Sequence, residues 1–369
     1  MRFSIFTHAE HKCFRGRLYS YAPYVKEMNL WISHFDEICV LGPVSKKDPA
    51  SIDSAYTHDN LRFKPIPGLH FKNKKLFSKS VLNSFKVIRE IFLEMKKADH
   101  IHIRCPGNIG LMACLIQIFF PSKPKTIKYA GNWAPESEQP RSYQFQKWLV
   151  SNTFLTRNAR VLAYGEWENQ SSNVIPFFTA SYSEDEKIEI QKEFRPPFKF
   201  VFVGSLVDGK RPFFTLDLIK ALKNKGFDVE LEMYGNGILK VSLEEYIDVN
   251  KLEDIVTMQG NQPQETIKKA YLSAHFSILP SKSEGWPKAI AEAMYFGCVP
   301  ITTGVSCTPW MLDYGERGIL IEPDIESAVG RIIGMLKKPE LLQSMSEKSK
   351  SWSQSYTLEG FDREIEKLL

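Results

Sequence analysis

Short apolar runs alternate with longer stretches of helical periodicity along this chain, and the rhythm starts afresh just past the middle. That alternation is the signature of parallel α/β sheets, because each parallel strand needs a crossover helix to bring the chain back. In the first half the strand-like runs are residues 2–6, 37–41, 61–64, 99–103, 126–129 and 160–163. Between them, Val81, Phe85, Ile88, Phe92 and Met95 recur at steps of three and four, the spacing of one apolar face of a helix. Residues 107–119 and 143–155 are further helices. Residues 179–198 break the rhythm with Glu184, Asp185, Glu186 and Lys187 and then Arg195-Pro196-Pro197, and read as a linker with a short helix. A second series follows, with strands expected at 199–204, 229–234, 255–259, 275–279, 299–302 and 319–322. The organisation expected is an α/β chain of two Rossmann-like domains facing across a cleft, over 1–178 and 199–350. A closing segment, 351–369, carries Leu358, Phe361, Ile365 and Leu368 on one helical face, and pattern leaves open which domain it packs on.

Length and composition agree with this. At 369 residues the chain is long for one core and suits two domains of roughly 170 residues each. No uninterrupted apolar run approaches the ~20 residues that cross a bilayer, and residues 110–120 read as a buried helix. Met1-Arg2-Phe3-Ser4-Ile5-Phe6-Thr7 has the look of a first strand and not of a signal peptide. The six cysteines lack paired spacing, which points away from a zinc site or disulfide framework and toward a reducing, cytoplasmic compartment. Charge is divided unevenly. Residues 1–178 hold 25 basic and 14 acidic side chains, a net of +11, and the remainder holds 23 and 29, a net of −6. One domain is therefore suited to an anionic partner: a phospholipid surface, a phosphorylated acceptor or a nucleic acid. No nucleic-acid recognition motif supports the last.

The stretch richest in chemistry is Leu279-Pro280-Ser281-Lys282-Ser283-Glu284-Gly285-Trp286-Pro287-Lys288-Ala289-Ile290-Ala291-Glu292-Ala293-Met294. A strand ends, a polar loop follows, Pro287 suits a first helical turn, and Ala289 to Met294 are strong helix formers. A helix N-terminus facing a loop is an anion site, since unpaired N–H groups and the macrodipole both point there. A diphosphate placed there would be partly neutralised without a metal. Glu284 precedes the helix and can reach a group at the mouth of the cleft. Glu292 lies about a turn and a half into it, where a carboxylate can accept from vicinal ribose hydroxyls. Read by themselves, they fit equally a helix N-terminal charge and a surface residue.

This segment resembles glycosyltransferase family 4, retaining enzymes of the GT-B fold whose hallmark is E-x7-E, the spacing of Glu284 and Glu292. Gly297-Cys298-Val299-Pro300-Ile301-Thr302 looks like the family's helix-G-x-P-V-I connection. The resemblance implies that Glu284 contacts the transferred sugar and Glu292 the ribose. The backbone N–H groups of Trp286, Lys288 and Ala289, with Gly285 before them and Pro287, which has no N–H to give, among them, would hold the distal phosphate. It also covers Phe202-Val203-Gly204-Ser205-Leu206-Val207-Asp208-Gly209-Lys210-Arg211-Pro212. There the family commonly has Gly-Arg at the strand end and a lysine five residues on, both cations on the diphosphate. Lys210 matches the lysine, Ser205 stands where arginine is usual, and Arg211 is the candidate for the missing charge. Tyr234-Gly235-Asn236-Gly237 resembles the family's glycine pair after the second donor-domain strand, and a plain turn explains it nearly as well.

In the first domain His100, His102 and Arg104 alternate out of one strand toward the same face. By resemblance either His102 or Arg104 would reach the donor sugar. Gly131-Asn132-Trp133 ends the next strand. The loop expected over 7–17 has histidines and cations where many relatives carry paired glycines, and suits an acidic acceptor. His8 and His11 lack a clear third metal ligand. Residues 71–79 interleave aromatics with cations, as for docking to an anionic membrane.

The expectation is a retaining hexosyltransferase that takes a UDP- or GDP-sugar donor and a glycan or lipid-linked acceptor, in bacterial surface polysaccharide synthesis. It would need no bound cofactor and no metal, and would sit in the cytoplasm or on the inner membrane face. The alternatives are a nucleotide-sugar epimerase of the same fold and a catalytically degenerate partner subunit, for which the Ser205 departure leaves room.

Overall fold

The computed structural model describes residues 1–50, 52–68 and 77–369. The chain divides into two compact units, Met1–Phe178 with Phe361–Leu369, and Thr179–Gly360.

The strands of the first unit are β1 (Arg2–Phe6), β2 (His11–Phe14), β3 (Arg17–Tyr21), β4 (Glu37–Ser45), β5 (Asp53–Ala55), β6 (Leu61–Ile66), β7 (His100–Cys105), β8 (Lys125–Tyr129), β9 (Ala159–Tyr164) and β10 (Val174–Phe177). Its helices are α1 (Ala22–Ile32), α2 (Phe77–Lys97), α3 (Asn108–Ile116) and α4 (Arg141–Ser151). The strands form one ten-stranded sheet whose parallel part runs β10-β9-β8-β7-β1-β4-β6. Parallel strands covered on both faces are apolar along their whole length. Phe3, Ile5 and Phe6 of β1, and Ile101 and Ile103 of β7, are accordingly fully buried.

Two expectations for this unit are corrected. The region 7–17 is largely a hairpin and not a loop. β2 and β3 pair antiparallel, Phe14 opposite Arg17, through a two-residue turn at Arg15 (φ 48°) and Gly16 (φ 76°). Two left-handed residues give such a turn the hand of the strand twist. The second correction concerns α2. Its buried side is Val87, Ile91 and Met95, whereas Val81, Phe85, Ile88 and Phe92 are exposed at 38%, 70%, 42% and 41%. Four of the five residues of the stripe read from the spacing thus form a second apolar face, offset from the one that packs, and the fifth, Met95, lies on the packed side.

The second unit contains β11 (Phe198–Val203), β12 (Val229–Tyr234), β13 (Val256–Gly260), β14 (Phe276–Leu279), β15 (Val299–Thr303) and β16 (Ile319–Ile321). Between and after them lie α5 (Pro212–Asn224), α6 (Lys240–Val249), α7 (Gln264–Ser273), α8 (Lys288–Tyr295), α9 (Thr308–Met311), α10 (Ile325–Leu336), α11 (Pro339–Ser353) and α12 (Leu358–Glu366). The sheet is wholly parallel in the order β13-β12-β11-β14-β15-β16, the doubly wound Rossmann order. Its winding reverses between β11 and β14, and ligands of such sheets bind outside the carboxyl ends of the strands at that switch point. Residues 179–198 belong to this unit and contain one short 3-10 turn, Glu184–Glu186, closed by a capping box from Ser183. The last helix begins in the second unit, and from Phe361 onward the chain is part of the first. There Phe361 meets Phe177 and Phe178 edge-on at 5.3 and 5.6 Å, and Asp362 bonds His34 at 2.8 Å.

Among the described residues no helix is long and apolar enough to cross a membrane. Residues 71–76 of the basic-aromatic segment lie outside the described residues.

Candidate functional site

At the switch point β11 leaves the sheet into Gly204 and β14 into Pro280. The loop after β11 is locked to the one after β12: the N–H of Gly204 donates to Tyr234 O at 3.0 Å and that of Leu206 to Asn236 O at 3.0 Å. The approach is so close that a Cβ on Gly235 (φ +133°) would lie 1.9 Å from Gly204 O, and one on Gly237 2.3 Å from Leu206 O. Gly235 and Gly237 are therefore needed by the backbone itself. Ser205, in the place where arginine was expected, is exposed beside them.

The loop 280–287 is pinned from behind. Thr303 Oγ1 donates to Ser281 O at 2.5 Å, and Ser306 Oγ and Cys307 Sγ both approach Gly285 O at 3.2 Å. Burial pushes the Cys307 thiol up to about 12, so it stays protonated and able to donate. Arg211, in a left-handed conformation (φ 48°) just before Pro212 opens α5, donates through Nη1 to Pro280 O and Ser281 O at 3.1 and 3.2 Å. Arg211 therefore clamps the loop through Nη1, a contact that its reading as a replacement phosphate cation did not include. In a trans peptide the N–H points opposite to the C=O. With Gly285 O turned toward Ser306 and Cys307, the Trp286 N–H is directed the other way, out of the loop.

Lys210 and Glu284 come together. Lys210 Nζ lies 2.5 Å from Glu284 Oε1, and Ser281 Oγ donates to the same oxygen at 2.6 Å. The Glu284 side chain is 8% exposed and that of Lys210 26%, so this is a largely desolvated ion pair at the loop. Ser281 was not singled out from the sequence as a partner, though it stands in the same stretch.

Helix α8 starts at Lys288, with Pro287 in the cap position and the first helical bonds running from Ile290 and Ala291 N–H to Pro287 O. It ends at Gly297 (φ +75°), where Cys298 N–H reaches back to Ala293 O at 3.0 Å. Its outer side is backed by α11: Ser353 Oγ donates to Ala291 O and Ser346 Oγ to Gly297 O, each at 2.6 Å. Trp286 is buried, stacked on Trp352 at 6.0 Å with Tyr356 at its edge at 5.7 Å. Glu292 faces a small cavity lined by Thr179, Ser181, Tyr182, Lys288 and Tyr356, and accepts from Ser181 Oγ at 2.5 Å. Sequence reading missed Ser181, and at 111 residues away no local signal could have found it.

The candidates of the first unit separate by depth. His102 is 1% exposed, sealed between Phe3 and Trp31, with Nδ1 2.8 Å from Thr126 Oγ1. Burial holds its pKa well below the ordinary histidine value. This corrects its expected reach to the donor sugar. Two residues on, at the carboxyl end of β7, the Arg104 guanidinium lies 4.7 Å over the Tyr24 ring, and its buried Nη1 has no hydrogen-bond partner. Trp133 is also interior, with Nε1 donating to Gln170 Oε1 at 2.8 Å. His11 Nε2 lies 2.9 Å from Tyr56 Oη, and no metal-holding group of three His, Cys, Asp or Glu side chains is found among the described residues.

Comparison with known proteins bears on family and fold. Residues 183–352 match the family of glycosyl transferases group 1. Protein CapJ of Staphylococcus aureus is 24% identical over 96% of this chain and 92% of its own. The amylovoran biosynthesis glycosyltransferase AmsK of Erwinia amylovora is 28% identical over 42% of this chain and 40% of its own length. A crystal structure of Anabaena HepE in complex with UDP and glucose superposes over the full chain and 98% of HepE, with a TM-score of 0.70 at 13% identity. The fold is GT-B. The match to glycosyl transferases group 1 falls within the second unit, Thr179–Gly360.

Proposed function

We propose that this chain is a retaining glycosyltransferase that carries a hexosyl group from a UDP- or GDP-sugar to a hydroxyl of a glycan or lipid-linked acceptor. The observation that carries the reading is the Lys210–Glu284 pair, held against the α8 N-terminus at the switch point of the second sheet. The UDP and glucose in HepE favour the uracil nucleotide.

In the reaction the bond from the anomeric carbon to the diphosphate oxygen breaks, a bond to the acceptor oxygen forms on the same face, and the acceptor hydroxyl proton passes to an oxygen of the leaving diphosphate. Negative charge grows on the leaving diphosphate, and fixed donors aimed at growing charge are the strongest catalytic device a dry site has. Lys210 and the outward Trp286 amide at the α8 N-terminus fill that role without a metal. With Arg211 committed to the loop carbonyls and serine at 205, Lys210 carries the side-chain part of that work. Donor binding exchanges the Lys210–Glu284 contact for one to phosphate and turns the Glu284 carboxylate to the sugar hydroxyls. Glu292 already accepts from a hydroxyl, that of Ser181, as it would from ribose. Arg104, with its unpartnered Nη1, is the first unit's candidate for an anionic group of donor or acceptor.

Thermal unfolding with UDP, GDP, ADP and CMP, each with and without magnesium, tests the reading. A shift of several degrees with UDP is expected, independent of magnesium, since a ligand bound to the native state must stabilise it. Lys210→Ala is expected to abolish that shift, and Glu284→Ala to keep it while transfer drops ~100-fold or more. An absence of shift with every nucleotide would overturn the reading in favour of a degenerate partner. Turnover of the nucleotide sugar without acceptor would indicate the epimerase.

A further inference from the structure

We propose that the second apolar face of α2, continued by the end of α3, is a docking surface for an anionic lipid bilayer. A helix of a globular unit needs one apolar stripe, and α2 packs with Val87, Ile91 and Met95. Beside that stripe Leu82, Phe85, Ile88 and Phe92 are 73%, 70%, 42% and 41% exposed. The face continues onto the end of α3 and the 3-10 turn after it, where Leu115 and Phe119 are 40% and 72% exposed, and Phe92 meets Phe120 at 5.1 Å. Large apolar side chains clustered in this way mark an interaction surface, whereas isolated ones need no explanation.

Charge selects the partner. Lys86, Arg89, Lys96 and Lys97 are exposed on the same helix. The carboxylates of α2 are already matched from inside the unit. Glu90 lies 2.5 Å from Lys64, while Glu94 is fully buried between Arg2 and Arg62, the latter at 3.0 Å. What faces outward is apolar surface with positive charge, on a unit whose 1–178 segment is net +11 by sequence. A bilayer with acidic headgroups satisfies both: the aromatic and aliphatic tips enter the headgroup boundary, and each cation near the surface contributes about 1 kcal/mol. A second copy of the chain fits less well, because a two-fold axis through this face would set its cations against themselves.

Flotation of the full-length protein, without nucleotide, on vesicles of phosphatidylcholine alone or mixed with phosphatidylglycerol tests the proposal. Binding to the mixed vesicles only is expected, weakened by high salt. The double variant Leu82→Ser/Phe85→Ser and the double variant Lys86→Glu/Arg89→Glu should each weaken it by about tenfold or more. Both change exposed side chains, so thermal unfolding and the nucleotide shift should stay as in the wild type. Those readings separate a failure here from a failure of the transferase assignment. Absence of binding to mixed vesicles, or binding indifferent to Leu82→Ser/Phe85→Ser, would overturn the proposal. So would a concentration-dependent dimer that Leu82→Ser/Phe85→Ser dissolves.

Discussion

Gly235 shows how little freedom the site leaves at single positions. Its φ of +133° and the 1.9 Å approach of a hypothetical Cβ to Gly204 O leave no relaxation short of moving two loops. Gly235→Ala should therefore cost about 2 kcal/mol or more in urea unfolding and weaken nucleotide binding with it. Gly209→Ala, with open space around its hypothetical Cβ, should leave both near wild type. Glu284 depends on Lys210 and Ser281 for its place. Ser281→Ala removes one of two donors to a nearly buried carboxylate, and a stability loss of about 1–3 kcal/mol is expected by chemical denaturation. The pair of glutamates and Lys210 were legible in the sequence because each lies in a local motif with a defined spacing. The roles of Arg211 and His102 were not, because they turn on whether a side chain faces a backbone carbonyl, a core or a ligand.

At the scale of elements, β7 carries a pH dependence. Burial lowers His100 to about 4 and holds His102 well below the ordinary value of 6.5, and His11 on β2 is likewise lowered to about 4. These rings stay neutral in the folded state while their unfolded counterparts take up protons below pH 6.5. Their contribution to stability is whole above 6.5 and is lost as pH falls from there toward the folded pKa, at ~1.4 kcal/mol per pH unit for each ring. The unfolding temperature should thus fall between pH 7 and pH 5, and His100→Gln should flatten the slope in calorimetry. The elements themselves were largely legible: β12 spans the expected residues, and most other expected strands differ by a residue or two at their ends. The hairpin of β2 and β3 was not, since Arg15-Gly16 lacks the usual Asn-Gly signal. The stripe of α2 was read with the right period, but four of its five residues lie off the packed face. Periodicity reports that a helix has an apolar side, and a helix with two such sides needs the sheet beneath it to say which is buried.

For the whole molecule, the return of the chain to the first unit is an energetic commitment. Phe361, Ile365 and Leu368 are buried there, and fully burying a side chain of this kind stabilises by ~1.5–3 kcal/mol. Removing residues 361–369 should lower the unfolding temperature of the first unit by many degrees, while the expressed second unit's response to nucleotide persists. The sequence by itself determined the main parallel strands and their helices and the two-part α/β organisation, and marked the loop before α8 as the candidate site. Each of these is written in neighbours within one or two turns of chain. Only the tertiary structure decided which face of α2 meets water, that Ser181 meets Glu292 and that Arg211 braces the loop before α8. It also decided where the last helix ends its path. Those contacts join residues far apart in the chain, and the sheet order that brings them together leaves no local periodicity to read.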